Sequence, residues 1–265
     1  MPSAEPDPAT FPAVMSRASR PQPVVGCCGF SSARSAYFER LPAVEVQQTF
    51  YQPPRVKTLE GWRTEAPPGF VFALKAWQLI THTTSSPTYR RLRRAIPDDA
   101  RAEAGAFRPT EAVEAGWAET AASARALGAE IVLFQCPPSF LPTDRHVSDF
   151  RAFIASRARE GLRFAWEPRG GWPRELVEDL CEELDLWHVV DPFVDQTVTP
   201  GRVYYRLHGR GGWRYRYEDD ELDELAAMLP ADAPSYVFFN NVHMLEDAGR
   251  FLEILDARAD GSQAR

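Results

Sequence analysis

The polar residues able to do chemistry in this chain sit at or just past the ends of short apolar runs. Glu45 and Gln47 lie in AVEVQ from Ala43, Lys75 in FVFALKAW from Phe70, Gln135 in IVLFQ from Ile131 and Glu167 in RFAWE from Arg163. Asp191 closes WHVVD from Trp187, Arg206 and His208 belong to RVYYRLH from Arg202, and Asn240 and Asn241 follow SYVFF from Ser235. Period-two alternation sets Glu45 with Gln47, and Arg206 with His208, on one face of their strands. Carboxylates beside cationic and imidazole groups can act as general acid and base, because unlike surroundings push their pKa values apart. Glu45, Glu167 and His208 are therefore candidates for proton transfer. Lys75 reads as a Schiff-base or electrostatic residue if desolvated beside another cation; the plainer reading is an ammonium neutralised by Glu45 or Glu167. Each residue alone is equally well a buried ion pair or a cap, but apolar side chains would fill a purely structural interior at lower desolvation cost.

The segment His208-Gly209-Arg210-Gly211-Gly212-Trp213-Arg214-Tyr215-Arg216-Tyr217 joins flexible backbone to guanidinium forks and aromatic faces. Arg grips phosphate or carboxylate bidentately, so Arg206, Arg210 and Arg214 are the expected anion-binding residues. A flexible solvated loop is the alternative. Arg90, Arg91, Arg93 and Arg94 form a second basic group that could close over the same site or be a solvated face. His208, Glu45, Glu167 and Asp191 could supply oxygen and nitrogen ligands, with His82 and His243 in reach, yet no HExxH or paired His spacing occurs. No cofactor and no metal-ligand set is predicted, and a divalent metal is left open. The four cysteines lack CxxC spacing, so neither a disulfide framework nor a zinc cluster is expected, and no Ser-His-Asp order or GxSxG elbow is present.

Something must hold these strand ends together. Counting VVGCC from Val24, there are eight candidate strands, separated by amphipathic stretches at 110–127, 144–159, 219–229 and 245–256 and by a helix opening at Pro173. Alternating strands and helices demand a parallel sheet, and eight such units favour a single-domain (β/α)8 TIM barrel whose active site forms at the strand C-termini. No GxGxxG follows the first strand, which removes the main argument for an open dinucleotide-binding sheet. Only PFVDQTVTPG separates the sixth and seventh strands, too short and Pro-rich for a covering helix. The barrel is expected over 23–258, flanked by unstructured tails at 1–22 and 259–265. The chain has 265 residues, 44% of them hydrophobic, and a net charge of −7, which excludes a polybasic mode of binding nucleic acid and leaves only a local basic patch for it. No run approaches the roughly 20 apolar residues needed to cross a bilayer. A soluble, cytoplasmic protein of undetermined oligomeric state is expected, with no membrane partner.

The strand-end residues also carry a resemblance. Gly26-Cys27-Cys28-Gly29-Phe30, Glu45-Val46-Gln47-Gln48-Thr49-Phe50-Tyr51, Phe72-Ala73-Leu74-Lys75-Ala76, Phe134-Gln135-Cys136-Pro137-Pro138-Ser139-Phe140, Trp166-Glu167-Pro168-Arg169, Tyr205-Arg206-Leu207-His208-Gly209 and Phe239-Asn240-Asn241 together resemble the barrel family called domain of unknown function 72, or YecE-like. The resemblance spans Val24 to about Leu255 and implies a TIM barrel; kinship of such barrels with endonuclease IV and sugar isomerases is a likeness of fold that fixes no reaction. Gln47 departs from the family's usual Asn.

The leading expectation is an enzyme for a small anionic or phosphorylated substrate, a sugar phosphate or a phosphodiester, at the C-terminal face. Glu45, Lys75, Glu167 and His208 would be catalytic; Gln47, Tyr51, Gln135, Arg206, Arg210, Arg214, Asn240 and Asn241 would bind substrate. The alternative is a noncatalytic protein that grips a nucleic acid or partner through the basic aromatic loop 209–217, with bases stacked on Trp213, Tyr215 and Tyr217.

Overall fold

Each strand of the barrel is apolar on both faces because one packs into the lumen and the other against helices. A computed structural model describes residues 22–263. Its strands are β1 (Val24–Cys28), β2 (Ala43–Val46), β3 (Val71–Lys75), β4 (Ile131–Gln135), β5 (Arg163–Glu167), β6 (Leu186–Val190), β7 (Val203–Leu207) and β8 (Ser235–Phe239). They form a closed parallel barrel in chain order, with β1 bonded to both β2 and β8. The helices are α1 (Arg34–Phe38), α2 (Gln48–Tyr51), α3 (Val56–Glu65), α4 (Gln78–Thr81), α5 (Asp98–Glu103), α6 (Glu111–Leu127), α7 (Asp144–Ala155), α8 (Arg174–Glu183), α9 (Asp219–Ala227) and α10 (Met244–Gln263). The TIM-barrel expectation holds, and residues 191–202 join β6 to β7 without a helix. The expected N-terminal tail lies outside the described residues except for residue 22. At the other end α10 continues to Gln263, where an unstructured tail was expected from 259.

Local signals set the helix ends. Thr110 Oγ1 accepts the Val113 amide at the start of α6, and Gly128 ends that helix in the left-handed conformation at φ 57°. Thr143 caps α7 in the same way. The long segment after β3 is ordered around α4, a 3-10 turn at Pro87–Arg91 and α5, and Tyr89 fastens it by donating to the His82 carbonyl at 2.9 Å. No helix among the described residues is long and apolar enough to cross a membrane.

The lumen is packed unevenly. Ala43, Ala73 and Ala165 come from β2, β3 and β5, while β6, β7 and β8 contribute Trp187, Tyr204, Tyr236 and Phe238. Tyr204 lies 5.3 Å from Phe238 and Trp187 lies 5.5 Å from Tyr236, so aromatic rings from one side of the barrel fill the volume that alanines leave on the other. Above this apolar floor the inward positions turn polar, and the site begins there. Gly26 is part of the seam: a Cβ on it would overlap the Ala43 carbonyl of β2 and come within 3.0 Å of the Phe238 ring. Gly26→Ala is expected to lower stability by about 1–3 kcal/mol through overpacking, read as a drop in thermal midpoint; an unchanged midpoint would mean that the β1–β2 seam yields freely.

Candidate functional site at the barrel mouth

At the C-terminal ends of the strands, the inward positions bring Glu45, Lys75, Gln135, Glu167 and Arg206 into one hydrogen-bonded cluster. Arg206, only 1% exposed, bridges two carboxylates: Nη1 to Glu167 Oε2 at 2.5 Å and Nη2 to Glu45 Oε1 at 3.0 Å. The remaining carboxylate oxygens are also engaged. Tyr204 donates its hydroxyl to Glu45 Oε2 at 2.6 Å, and Gln47 Nε2 reaches Glu45 Oε1. Glu167 Oε1 accepts from Gln135 Nε2 at 2.8 Å and from Arg169 Nη2 at 2.6 Å. Burial alone would raise the Glu167 carboxyl, but Arg206 and then Arg169 outweigh it and hold it well below the usual carboxylate range. Burial would likewise favour a neutral Arg206, and Glu45 and Glu167 reverse that.

Lys75 is left out of this pairing. Its Nζ donates to the Gln135 amide oxygen and lies 3.6 Å from the centre of the Phe50 ring. The sequence reading of an ammonium neutralised by Glu45 or Glu167 is thus corrected: neither carboxylate bonds Lys75, because their oxygens face Arg206, Arg169, Tyr204 and the two glutamines. Burial first, then the Arg206 charge, pushes the Lys75 amine down to about 7. Nearby His82 is pushed down to about 3, again by burial first and then by Lys75, so its imidazole is neutral at neutral pH.

Arg169 follows β5 through Pro168. It borders two cavities, one of about 530 Å³ lined by Tyr51, Lys75, His82 and Gln135, the other of about 460 Å³ lined by Glu167, His188, Asp191 and His208. Its side chain is 40% exposed, against 1% for Arg206. Gly170 fixes the turn: it has φ 99°, and a Cβ there would overlap the Pro138 carbonyl of the loop after β4. On the far side, Asp191 Oδ2 accepts the His208 backbone N–H at 2.9 Å and lies 3.7 Å from Nδ1, while His208 Nε2 is 3.5 Å from Arg169 Nη2. His188 is fastened differently, its Nδ1 accepting the Val198 amide at 3.1 Å, which ties down the β6–β7 connection.

Other expected site residues are engaged elsewhere. Arg210 pairs with Glu221 at 3.0 Å and Glu224 at 3.4 Å on α9, and Arg214 lies over the exposed Trp213 ring. Neither lines the two cavities. The loop 209–217 is folded onto its neighbours: Tyr217 is buried and its hydroxyl accepts the Gly209 amide, while Asn241 Nδ2 donates to the Tyr215 carbonyl and to Asp247. Asn241 therefore anchors this loop, and Asn240 follows β8 with its amide bonded to the Leu207 carbonyl. Of the Arg-rich segment, Arg91 stacks on Tyr51 at 3.7 Å, and Arg94 pairs with Glu119 on α6. Sequence reasoning passed over Arg169 as a site residue because it lies two positions beyond the strand, although it closes the Trp166-Glu167-Pro168-Arg169 motif.

Glu45, Glu167, Asp191 and His208, which by type could have supplied metal ligands, do not open onto a common point, since Arg206 bridges the two glutamates. Among the described residues no group of three or more His, Cys, Asp or Glu is arranged to hold a metal ion. Burial pushes the Cys27 and Cys136 thiols up to about 12 and the Cys28 thiol well above its usual range, the last reinforced by Glu45, so none is a ready nucleophile.

Fold and site define a (β/α)8-barrel protein with a polar, partly cationic pocket at the strand C-termini. The family described as protein of unknown function DUF72 matches residues 31–265, and the chain belongs to it. A DUF72 family protein from Enterococcus faecalis has a similar structure, with a TM-score of 0.66 at 18% identity over 87% of this chain and 94% of that one. One from Thermotoga maritima gives 0.64 at 20% identity, over 89% and 100% of the two chains. Endonuclease IV from Thermus thermophilus aligns at a TM-score of 0.47 and 13% identity over 92% and 100%, a likeness that says nothing of chemistry. No curated protein matches.

Two outcomes follow from the cluster. Arg206→Met leaves two carboxylates buried without their bridging cation and is expected to cost roughly 3–5 kcal/mol at neutral pH. The folded pKa of Glu167 is depressed, so its stabilisation is full above the unfolded value near about 4.3 and is lost as pH falls below it. The gap between parent and variant in urea melts should accordingly narrow on acidification. Lys75 differs in that folding disfavours its charged form, although the slope with pH has the same sign. With a folded pKa of about 7 against about 10.4 unfolded, the unfolded chain binds the extra proton between those values, and stability from this group rises with pH across that window. Lys75→Met should be more stable than the parent near neutrality and lose that advantage by about pH 10; an advantage independent of pH would show that Lys75 does not titrate so low.

Proposed function

We propose that this protein is an enzyme acting on a small phosphorylated or otherwise anionic substrate, such as a sugar phosphate or a phosphodiester, at the barrel mouth. The observation that carries the reading is Arg169, whose half-exposed side chain borders both cavities between Lys75 and His208. A planar fork of donors in that position suits phosphate or carboxylate. Lys75 supplies an amine that can be neutral at neutral pH, able to take a proton from substrate and return it. His208, its imidazole beside Asp191, supplies a second proton-transfer group across Arg169.

The roles differ from those drawn from sequence in a physically definite way. Glu45 and Glu167 act as positioning residues, since every oxygen of the two carboxylates is already engaged by a donor of the protein. Arg206 holds them and not the substrate. Gln135 orients Lys75, and Tyr51 walls its cavity. The loop 209–217 is less suited to a nucleic acid than its composition suggests: Glu221 and Glu224 answer Arg210, Arg216 lies 3.9 Å from Glu246, and of the three aromatic rings Trp213 alone is exposed while Tyr217 is buried.

Titration with inorganic phosphate checks the reading. Arg169→Ala should weaken phosphate binding by about 1.5–3 kcal/mol, the value of a hydrogen bond to a charged group. Arg210→Ala and Arg214→Ala should leave it unchanged, and the dependence on salt should be shallow, as for one phosphate and not for a multi-phosphate polymer. Equal affinity in the parent and Arg169→Ala would remove the anion site from the mouth.

A further inference from the structure

We propose that Lys75 forms an imine with its substrate, so that the molecules handled at this mouth carry an aldehyde or ketone besides their anionic group. The inference rests on the function proposed above, because Arg169 would hold the anion while Lys75 meets the carbonyl carbon. Two independent observations carry it.

The first is geometric. Lys75 lines the cavity of about 530 Å³, and its amine is held there by a single hydrogen bond, to the Gln135 amide oxygen, over the Phe50 ring. No carboxylate bonds it. Glu45 on β2 and Glu167 on β5 are engaged by Arg206 on β7, and Glu167 is also engaged by Arg169; His82 beyond α4 is neutral. An amine in no ion pair, buried beside two guanidinium groups and acted on by Glu45 and Glu167 only at a distance, is disposed to be free base, the nucleophilic form.

The second is compositional. Of the 30 Lys and Arg residues in the chain, Lys57 and Lys75 alone are lysines. Lys57 is exposed on α3. Elsewhere the chain uses arginine for positive charge, including at Arg169 and Arg206 in this same site. Charge alone does not account for lysine at position 75. What lysine offers and arginine does not is a primary amine that can lose its proton and bond to carbon.

The step balances without an oxidant or reductant. The Lys75 nitrogen lone pair forms a C–N bond to the carbonyl carbon, and the C=O π pair moves to oxygen, which takes a proton. The resulting carbinolamine loses that oxygen as water, with one further proton, leaving a protonated C=N bond that draws electrons from the adjacent carbon. Hydrolysis reverses the sequence and restores the amine.

Reductive trapping tests this on the full chain. The protein is incubated with glycolaldehyde phosphate and sodium cyanoborohydride, and labelled peptides are quantified by mass spectrometry. Hydride delivered to the imine carbon fixes the adduct as a secondary amine. Lys75 should be labelled at least about tenfold faster than Lys57 in the folded protein and at an equal rate in urea, as expected of an amine activated by its site. Unphosphorylated glycolaldehyde should label Lys75 more slowly, and inorganic phosphate should compete with glycolaldehyde phosphate. Lys75→Arg, with its fold checked by thermal melting, should retain only the Lys57 background. Labelling of Lys75 no faster than Lys57 overturns the imine, and if phosphate still binds through Arg169 the anion site survives it. Selective labelling that is indifferent to the phosphate group upholds the imine and removes the anion site instead.

Discussion

A guanidinium sealed inside a barrel lumen is tolerable only when its lost hydration is replaced, and Arg206 obtains that replacement from Glu45 and Glu167 at once. The rest of the mouth depends on this bridge. Two ionised carboxylates brought to one place would repel each other, and Arg206 between them converts repulsion into a rigid three-residue unit. Apolar residues of similar volume would make the lumen no less stable, so an ion triplet at this depth is better explained by what it does to its neighbours than by stability.

Its main effect is to exhaust the carboxylates. Each oxygen of Glu45 and Glu167 has a donor: Arg206 and Gln47 on Glu45 Oε1, Tyr204 on Oε2, Arg206 on Glu167 Oε2, and Gln135 with Arg169 on Oε1. Lys75, on β3 and also buried, is left with an amide oxygen and an aromatic face. A dipole and a quadrupole stabilise an ammonium far less than a carboxylate does, so desolvation dominates and the amine is pushed towards neutrality. Arg169 sits at the rim, its half-exposed side chain bonded through Nε and Nη2 to one carboxylate oxygen. One buried cation thus separates two polar groups of the mouth, an amine in no ion pair and the half-exposed Arg169 side chain.

Much of this was legible in the sequence. Strand alternation with helices determined a barrel, and polar residues collected at the strand ends put Glu45, Lys75, Glu167 and Arg206 at one end of it without any structure. The short, Pro-rich stretch after Trp187-His188-Val189-Val190-Asp191 left no room for a helix. Parity tells which side chains enter the lumen but not who bonds whom, because pairing depends on the register and tilt by which Arg206 reaches across to β2 and β5. Hence Lys75 was assigned a carboxylate it does not have. Composition misled at Arg210, where the acidic residues that engage it lie a helix away at Glu221 and Glu224. Parity is also silent beyond a strand's end, which is why Arg169 escaped notice.

The two halves of the mouth also differ in what fixes them. Lys75, Gln135 and Glu167 are strand residues, held by the barrel's hydrogen bonds and by apolar layers beneath them. Arg169 is held by a turn, and that turn exists because Gly170 adopts a left-handed φ where a side chain would strike the Pro138 carbonyl. The loops after β4 and β5 therefore meet backbone to backbone at this point, Trp172 Nε1 also donates to the Phe140 carbonyl at 2.8 Å, and Arg169 is placed by their mutual fit as well as by Glu167. On the function proposed above, an amine seated in rigid sheet and a guanidinium carried on a close-fitting loop would meet the differing demands of bond formation and anion capture. The first needs reacting atoms aligned to within a fraction of an ångström, the second tolerates adjustment because charge attraction falls off gently with distance. The division between strand and loop in this barrel matches what that proposal requires.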